Sequence, residues 1–174
     1  VNLLGKYGDF EVDSNSDGIA DGWVTSIAGM QGNLSSDKVV ISSKSQHAWT
    51  DEGVANSLVL RNSTSNIYTV GNTYFFSLWM YPVPSPHTTA IYVGSGQYTA
   101  ANFSGTKISG RFNKEYTTVI PQYTGFINIY FDYGNYGSHE MYYDGAMFVD
   151  LTRMGVLPPP LKEYFNNAVS NWAD

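Results

Sequence analysis

The sequence predicts an all-β protein, specifically an antiparallel two-sheet sandwich of the jelly-roll type. Up to about residue 155 it consists of short alternating or apolar segments separated by Gly, Asn, Ser and Pro, and none of them has a helical apolar period of 3.6 residues. With 43% hydrophobic and only 14% charged residues, the chain has the composition of a folded domain. We therefore expect one β-sandwich domain over residues 1–155.

The strand candidates are segments rich in β-branched and aromatic residues that are bounded by turn residues. Together they supply the eight to ten strands that two packed antiparallel sheets need. The clear candidates are residues 38–42, 57–61, 73–81, 89–94, 116–120, 125–133 and 142–151, and the weaker ones are residues 22–27, 65–70 and 107–112.

Residues 156–174 have a different pattern. Three prolines at 158–160 precede apolar side chains at positions 161, 164/165, 168/169 and 172. This spacing predicts a short amphipathic helix that begins just after a proline. The helix would either cap the sandwich or lead into a neighbouring domain of a larger chain or assembly.

Charge and motif content exclude several classes of function. The chain has 15 acidic and 9 basic residues, a formal net charge of -6, so nucleic acid is an unfavourable partner. No apolar segment is long enough to insert across a membrane. Cysteine is absent, the three histidines lack metal-ligand spacing, and no nucleophile elbow or phosphate-binding loop occurs. We therefore expect a protein that is not an enzyme.

A jelly-roll polysaccharide lyase or hydrolase is the catalytic alternative. Such an enzyme needs facing acid and base groups, and a sequence does not show which residues face each other. The carboxylate pairs left open are Asp132 with Glu140 or Glu115, and Asp132 and Tyr130 are the acid/base candidates for that alternative.

The most specific local motif lies near the N-terminus, between Asp13 and Gly22. It has the oxygen-ligand spacing of a calcium loop, with a glycine at position 6 for the sharp turn. The candidate ligands at positions 1, 3, 5, 7 and 9 are Asp13, Asn15, Asp17, Ile19 through its carbonyl, and Asp21.

Val24 stands at position 12, where a helix-flanked calcium loop has a bidentate glutamate, and neither flank is helical in pattern. The motif is therefore not an EF-hand. Glu11 and Asp144 are the candidates for the missing ligands. We predict a structural calcium; an ordinary Asx/Gly turn without metal is the alternative.

Aromatic residues make up 16% of the chain, and 14 of them are tyrosines, which suit binding surfaces as well as cores. Side chains alternate between the two faces of a strand, so a set of polar and aromatic residues points away from the aliphatic core positions. We predict that this set forms a single sheet face. The set is Trp79, Tyr81, Tyr92, Asn128, Tyr130 and Asp132. Flat rings flanked by hydrogen-bonding groups fit sugar rings. Packing of Trp79 and Tyr130 beneath a loop or the tail helix is the alternative.

Loop residues extend this predicted surface. Four residues lie in segments that we interpret as loops: His47, Trp49, Tyr133 and Tyr136. Trp49 fits a lid over the core equally well. Arg111 is a candidate partner for an acidic group of a glycan.

Six segments occur in the order of a known family: residues 2–4, 8–11, 17–23, 57–60, 70–79 and 142–149. Among them are Asp17-Gly18-Ile19-Ala20-Asp21-Gly22-Trp23 and Tyr142-Tyr143-Asp144-Gly145. These segments resemble the calcium-containing jelly-roll carbohydrate-binding modules of the xylan- and glucan-binding type, which are galactose-binding-like sandwiches. The resemblance covers about residues 2–151. It implies a structural calcium near the N-terminus and a concave sheet face that binds a glycan chain.

The end of the domain carries a second resemblance. Asp150-Leu151-Thr152-Arg153-Met154-Gly155, followed by prolines, is similar to an ending common in bacteriophage tail and receptor-binding proteins that carry this module, although its usual GxGNEP is missing.

The sequence therefore predicts non-catalytic binding of a polysaccharide or cell-surface glycan, at an extracellular or virion surface. The rival hypothesis is a structural or adhesive domain of a phage tail or surface assembly that has no glycan site of its own.

Overall fold

The computed structural model describes residues 1–25, 29–51, 58–83, 89–94, 100–103, 110–131 and 139–155. Within these ranges the chain forms ten strands and a single 3-10 turn at Gly5–Gly8. The strands are β1 (Trp23–Thr25), β2 (Met30–Ser35), β3 (Ser45–Thr50), β4 (Leu58–Asn62), β5 (Tyr74–Val83), β6 (Thr89–Gly94), β7 (Ala100–Phe103), β8 (Asn113–Val119), β9 (Phe126–Phe131) and β10 (His139–Asp150).

The strands form two five-stranded antiparallel sheets. Sheet A has the order β2-β3-β10-β5-β8, and sheet B has the order β1-β4-β9-β6-β7. Both sheets combine strands from distant parts of the chain, and a bridge between Asn2 and Val149 joins the N-terminus to the last strand. This arrangement confirms the predicted all-β, two-sheet fold. The predicted helix within residues 156–174 lies outside the described residues.

The hydrophobic core lies between the two sheets. Every second residue of β5, from Tyr74 to Met80, is at most 1% exposed, as the alternation predicts. Ile127 and Ile129 of β9 and Phe148 of β10 are fully buried in the same core cluster. Burial of this apolar surface drives the two sheets together. The intervening residues of the same strands therefore point away from the core.

The predicted strand at residues 38–42 is wrong, because this segment is part of the loop between β2 and β3. The N–H groups of Val40 and Ile41 donate to the Asp144 carboxylate and not to a neighbouring strand. Ser42 has φ +62°, outside the extended region. The weaker candidate at 65–70 is also wrong: it forms turns, with Asn66 at φ +59°. Of the candidate at 107–112, residues 110–112 form a turn, and the rest lies outside the described residues.

The segment around Trp49, which we interpreted as a loop, is strand β3. Its inward positions are Gln46, Ala48 and Thr50, all buried. Two of these three are polar, so the strand lacks the apolar alternation by which half-buried strands are predicted. Gln46 is satisfied inside the protein, since its amide bonds to Ala20, Gly18 and Asn33.

A β-bulge interrupts the pairing of β10 with β5 between Asp144 and Met147. Gly145 in the bulge has φ +57°, and a Cβ there would lie 2.4 Å from Ile41 Cδ1. The absence of a side chain therefore lets the β2–β3 loop lie against the outer face of sheet A.

Gly145→Ala is expected to lower the free energy of unfolding by about 1 kcal/mol more than a matched control, because the added methyl group must displace Ile41. The control is Gly71→Ala, which also has a positive φ, +84°, but no atom within 4 Å of the new Cβ. Urea unfolding of both variants measures the difference. Equal losses would show that the contact with Ile41 does not constrain the loop.

No helix in the described part of the chain has the length and apolar character needed to cross a membrane.

Candidate functional site

The residues predicted to share one sheet face lie on different sheets. Trp79 and Tyr81 belong to β5 of sheet A, whereas Tyr92, Asn128 and Tyr130 belong to β6 and β9 of sheet B. The prediction of one continuous face is therefore wrong. Alternation assigns the two faces of a single strand, but it does not determine which strands become neighbours.

Among the sheet B residues, the Asn128 side chain is only 3% exposed, and its Oδ1 accepts a hydrogen bond of 2.8 Å from Arg61 Nε. Tyr92 is half-buried and lies opposite Asn128 in the ladder. The Tyr130 side chain, Asp132, Tyr133 and Tyr136 lie outside the described residues, so their predicted roles stay predictions.

A row of rings crosses the outer face of sheet A. Tyr142 of β10 lies opposite both His47 of β3 and Tyr81 of β5. The His47 and Tyr142 rings are stacked with centroids 4.2 Å apart, and Tyr81 meets Tyr142 edge to face at 5.9 Å. Trp49 extends the row beyond His47 at 4.7 Å, and Phe112 extends it beyond Tyr81 at 5.3 Å. We call these five residues the aromatic row.

Polar groups border the row at its β3 end. His47 Nε2 lies 3.0 Å from Glu140 Oε1, and His47 Nδ1 lies 3.2 Å from Asn33 Oδ1. Both ring nitrogens thus have an oxygen neighbour, which fixes the plane of the imidazole. Burial raises the pKa of Tyr142, and the negative charges of Glu140 and Asp37 raise it further, so its hydroxyl stays protonated and able to donate.

The rings differ in how accessible their faces are. His47 and Tyr142 cover one face of each other, while Lys38 Nζ lies 5.6 Å from the centre of the Tyr81 ring. Lys114 Nζ lies 4.9 Å from the centre of the Trp79 ring. Trp49 is half-buried, and His47 is its one ring partner among the described residues. Phe112 at the other end of the row also has one described ring partner, but the larger indole ring makes Trp49 the better stacking platform.

Sequence reasoning found four residues of this face: His47, Trp49, Tyr81 and the half-buried Trp79. It missed Tyr142 and Phe112 as site residues and considered Glu140 only for the catalytic alternative. Tyr142 was detectable, because it alternates with the buried Tyr143 in a predicted strand. Glu140 gave no local signal, since only pairing with β3 brings it to His47. Arg111 is exposed in the turn before β8, directly beside Phe112.

The seven predicted calcium ligands fall into two groups. In the N-terminal loop, Asp13 accepts hydrogen bonds from the N–H groups of Asp17 and Gly18, and Asp17 accepts one from Ile19. Hydrogen bonds from the Ser14 N–H and hydroxyl to Asp21 lower the pKa of Asp21. Asn15 Nδ2 donates to Asp17. No group of three or more His, Cys, Asp or Glu side chains that could hold a metal occurs in the described ranges. The calcium ligands therefore stay a prediction.

Glu11 and Asp144 instead contact the β2–β3 loop. Asp144 is fully buried; its Oδ2 accepts hydrogen bonds of 2.7 and 2.8 Å from Val40 and Ile41, and its Oδ1 has no partner within the described part of the protein. Burial raises the pKa of Asp144, and the charge of Glu11 raises it further. The backbone N–H groups of Ile41, Val40 and Gly145 oppose that increase.

Glu11 is the second carboxylate of this group. Burial alone would raise the pKa of Glu11, but hydrogen bonds from Ser43 and Lys44 outweigh burial and lower it. A buried carboxylate oxygen without a partner, near a second and ionised carboxylate, fits a bound cation.

No family model and no curated protein matches the chain. Solved structures of the same fold do match. The C-terminal family 22 carbohydrate-binding module of a Clostridium thermocellum protein matches with TM-score 0.60 and 18% identity, over 82% of this chain and 89% of that one. The CBM22-1 xylan-binding domain from Paenibacillus barcinonensis matches with TM-score 0.58 and 10% identity, over 80% and 89%.

The enzymatically active domain of tailspike protein 4 of bacteriophage CBA120 matches with TM-score 0.54 and 15% identity, over 85% of this chain and 21% of that one. At these identities the matches establish the fold. The chain has the β-sandwich fold of carbohydrate-binding modules, as its sequence resemblance implied.

Proposed function

We propose that this domain is a non-catalytic carbohydrate-binding module and that its glycan lies across the aromatic row. The observation that carries the proposal is the row itself, in which adjoining rings from three neighbouring strands are bordered by an amide, a carboxylate and a phenol hydroxyl. Sugar rings have apolar C–H faces and a rim of hydroxyls, so a site for them combines flat rings with hydrogen-bonding groups.

The rings and the polar groups have separate roles in this proposal. Trp49 stacks on one sugar ring, while the Tyr142 hydroxyl and the Glu140 carboxylate hydrogen-bond to sugar hydroxyls. His47 positions Glu140 through the 3.0 Å contact. The fold match with xylan-binding modules supports this assignment.

A glycan array followed by affinity electrophoresis tests the proposal. We expect retardation of the domain in gels that contain a plant or microbial polysaccharide, such as xylan or a β-glucan, relative to a gel without polysaccharide. Absence of retention on every polysaccharide would contradict it.

A structural or adhesive role in a phage tail is the second candidate, and the match with a tailspike domain favours it. In that case we expect the row to contact protein, and the domain to self-associate in light scattering after size exclusion. Either role suits an extracellular or virion-surface location. A monomer that binds glycan supports the first candidate.

The proposal includes a structural calcium. Asp144 and Glu11 are the proposed ligands, because the Asp144 carboxylate is buried with Oδ1 unpartnered in the described structure. The loop from Asp13 to Asp21 is the alternative location. A cation at Asp144 offsets the repulsion between the two carboxylates and stabilises the β2–β3 loop beside the row.

A further inference from the structure

Basic side chains concentrate at the β5 end of the aromatic row. The whole chain has nine basic and fifteen acidic residues, yet Lys38 and Lys114 adjoin this one region, and Arg111 directly precedes Phe112 of the row. They come from two separate segments, the β2–β3 loop and the region around the start of β8. An acidic protein thus carries a local positive patch beside its candidate binding site.

Two of these cations lie directly over rings. The Lys38 ammonium is 5.6 Å from the Tyr81 ring centre, and the Lys114 ammonium is 4.9 Å from the Trp79 ring centre. Trp79 and Tyr81 are two positions apart on the same face of β5, a separation of roughly 7 Å. The two ammonium groups therefore border one short stretch of the outer face.

The carboxylates of this face have other contacts. Asp144, opposite Trp79 in the ladder, accepts hydrogen bonds from Val40 and Ile41. Glu140 contacts His47 near the other end of the row, and the charge of Asp37, which precedes Lys38 in the chain, acts on Tyr142. Neither Lys38 nor Arg111 forms an ion pair with any residue that the structure describes. Burial lowers the pKa of Lys114, because a half-buried ammonium is partly desolvated.

We propose that the Lys38, Arg111 and Lys114 patch is a subsite for the carboxylates of an acidic glycan, so that the site prefers uronate-bearing polysaccharides over neutral ones. This inference rests on the proposed glycan-binding function. On binding, the lysine ammonium groups exchange their contact with the ring faces for hydrogen-bonded ion pairs with carboxylates. That exchange also opens the faces of Tyr81 and Trp79 to the sugar ring.

Matched ligands isolate the contribution of the carboxylate. Polygalacturonate and glucuronoxylan are each compared with their carboxyl-reduced forms, which keep the backbone but carry primary alcohols in place of the acids. We expect tighter binding of the acidic member by isothermal titration calorimetry at low salt, and a smaller preference in 0.5 M NaCl, because exposed ion pairs are screened.

The double variant Lys38→Gln/Arg111→Gln is expected to reduce the preference for the acidic member over the reduced member by a factor of about three to ten. The matched control is Lys6→Gln/Arg153→Gln, which removes the same two charges outside the patch. Equal weakening in the control would overturn the inference, because attraction would then depend on overall charge alone.

Equal binding of the acidic and reduced members would also overturn the inference while leaving the proposed function intact. If the domain binds none of these four polysaccharides and the glycan array is also negative, the proposed function itself is overturned. The two failures are therefore distinguishable.

Discussion

Trp49→Ala is expected to weaken glycan binding by about 1–3 kcal/mol, roughly 5- to 150-fold, by analogy with the stacking of bases on aromatic side chains. The reason is geometric: Trp49 ends the aromatic row and has one ring neighbour among the described residues, so its ring is the best available platform. Titration calorimetry with the polysaccharide identified on the array measures the loss. Circular dichroism and a thermal melt verify that the variant stays folded.

Tyr123→Ala is a suitable control, since Tyr123 is an exposed aromatic residue in the turn before β9 and lies outside the row. It should bind like the unmodified protein. Tyr92→Ala tests the other sheet. If binding survives Trp49→Ala but is lost with Tyr92→Ala, the glycan site lies on sheet B and the proposed location is wrong.

Calcium is expected to stabilise the domain by RT ln(1 + [Ca]/Kd), about 2.7 kcal/mol at a hundredfold excess over Kd. For a domain of this length, that corresponds to a rise in melting temperature of about 5–10 °C between EDTA and calcium. The physical basis is electrostatic. Burial and the charge of Glu11 raise the pKa of Asp144, so its ionised form lowers stability at neutral pH unless a cation is bound.

The sign of this effect gives a pH test. The pKa of Asp144 is higher in the folded protein than in the unfolded chain, so ionisation of Asp144 destabilises the calcium-free protein. This loss of stability is absent at a pH below the unfolded-state pKa, and it develops as the pH rises through the folded-state pKa. The stabilisation by calcium should therefore be full at neutral pH and should decrease as Asp144 becomes protonated at acidic pH.

Variants locate the cation. Asp144→Asn should abolish the response of the melting temperature to calcium, while Asp13→Ala/Asp17→Ala should keep it, because those carboxylates accept hydrogen bonds within their own loop. The reverse result would place calcium in the N-terminal loop. Identical melting temperatures of the unmodified protein in EDTA and in calcium would refute the calcium proposal at both locations.

Local sequence patterns were sufficient to predict the fold class and much of the core. Alternation at Tyr74, Phe76, Leu78 and Met80 identified the buried face of β5, because side chains on a strand alternate between its two faces whatever its neighbours are. The same pattern did not reveal β3, whose inward face includes the polar Gln46 and Thr50. A polar side chain is buried there because Gln46 finds partners in Gly18, Ala20 and Asn33.

The sequence by itself determined that this is a β-sandwich with aromatic side chains on outward strand faces. Only the tertiary structure decided which of those side chains meet. Trp79 and Tyr81 are separated from Tyr92 and Asn128 because β5 and β6, although consecutive in the chain, belong to different sheets. Tyr142 and His47 stack although 95 positions separate them, because β10 pairs with both β3 and β5. Strand order depends on the long-range packing of the whole core, and no local alternation pattern contains that information.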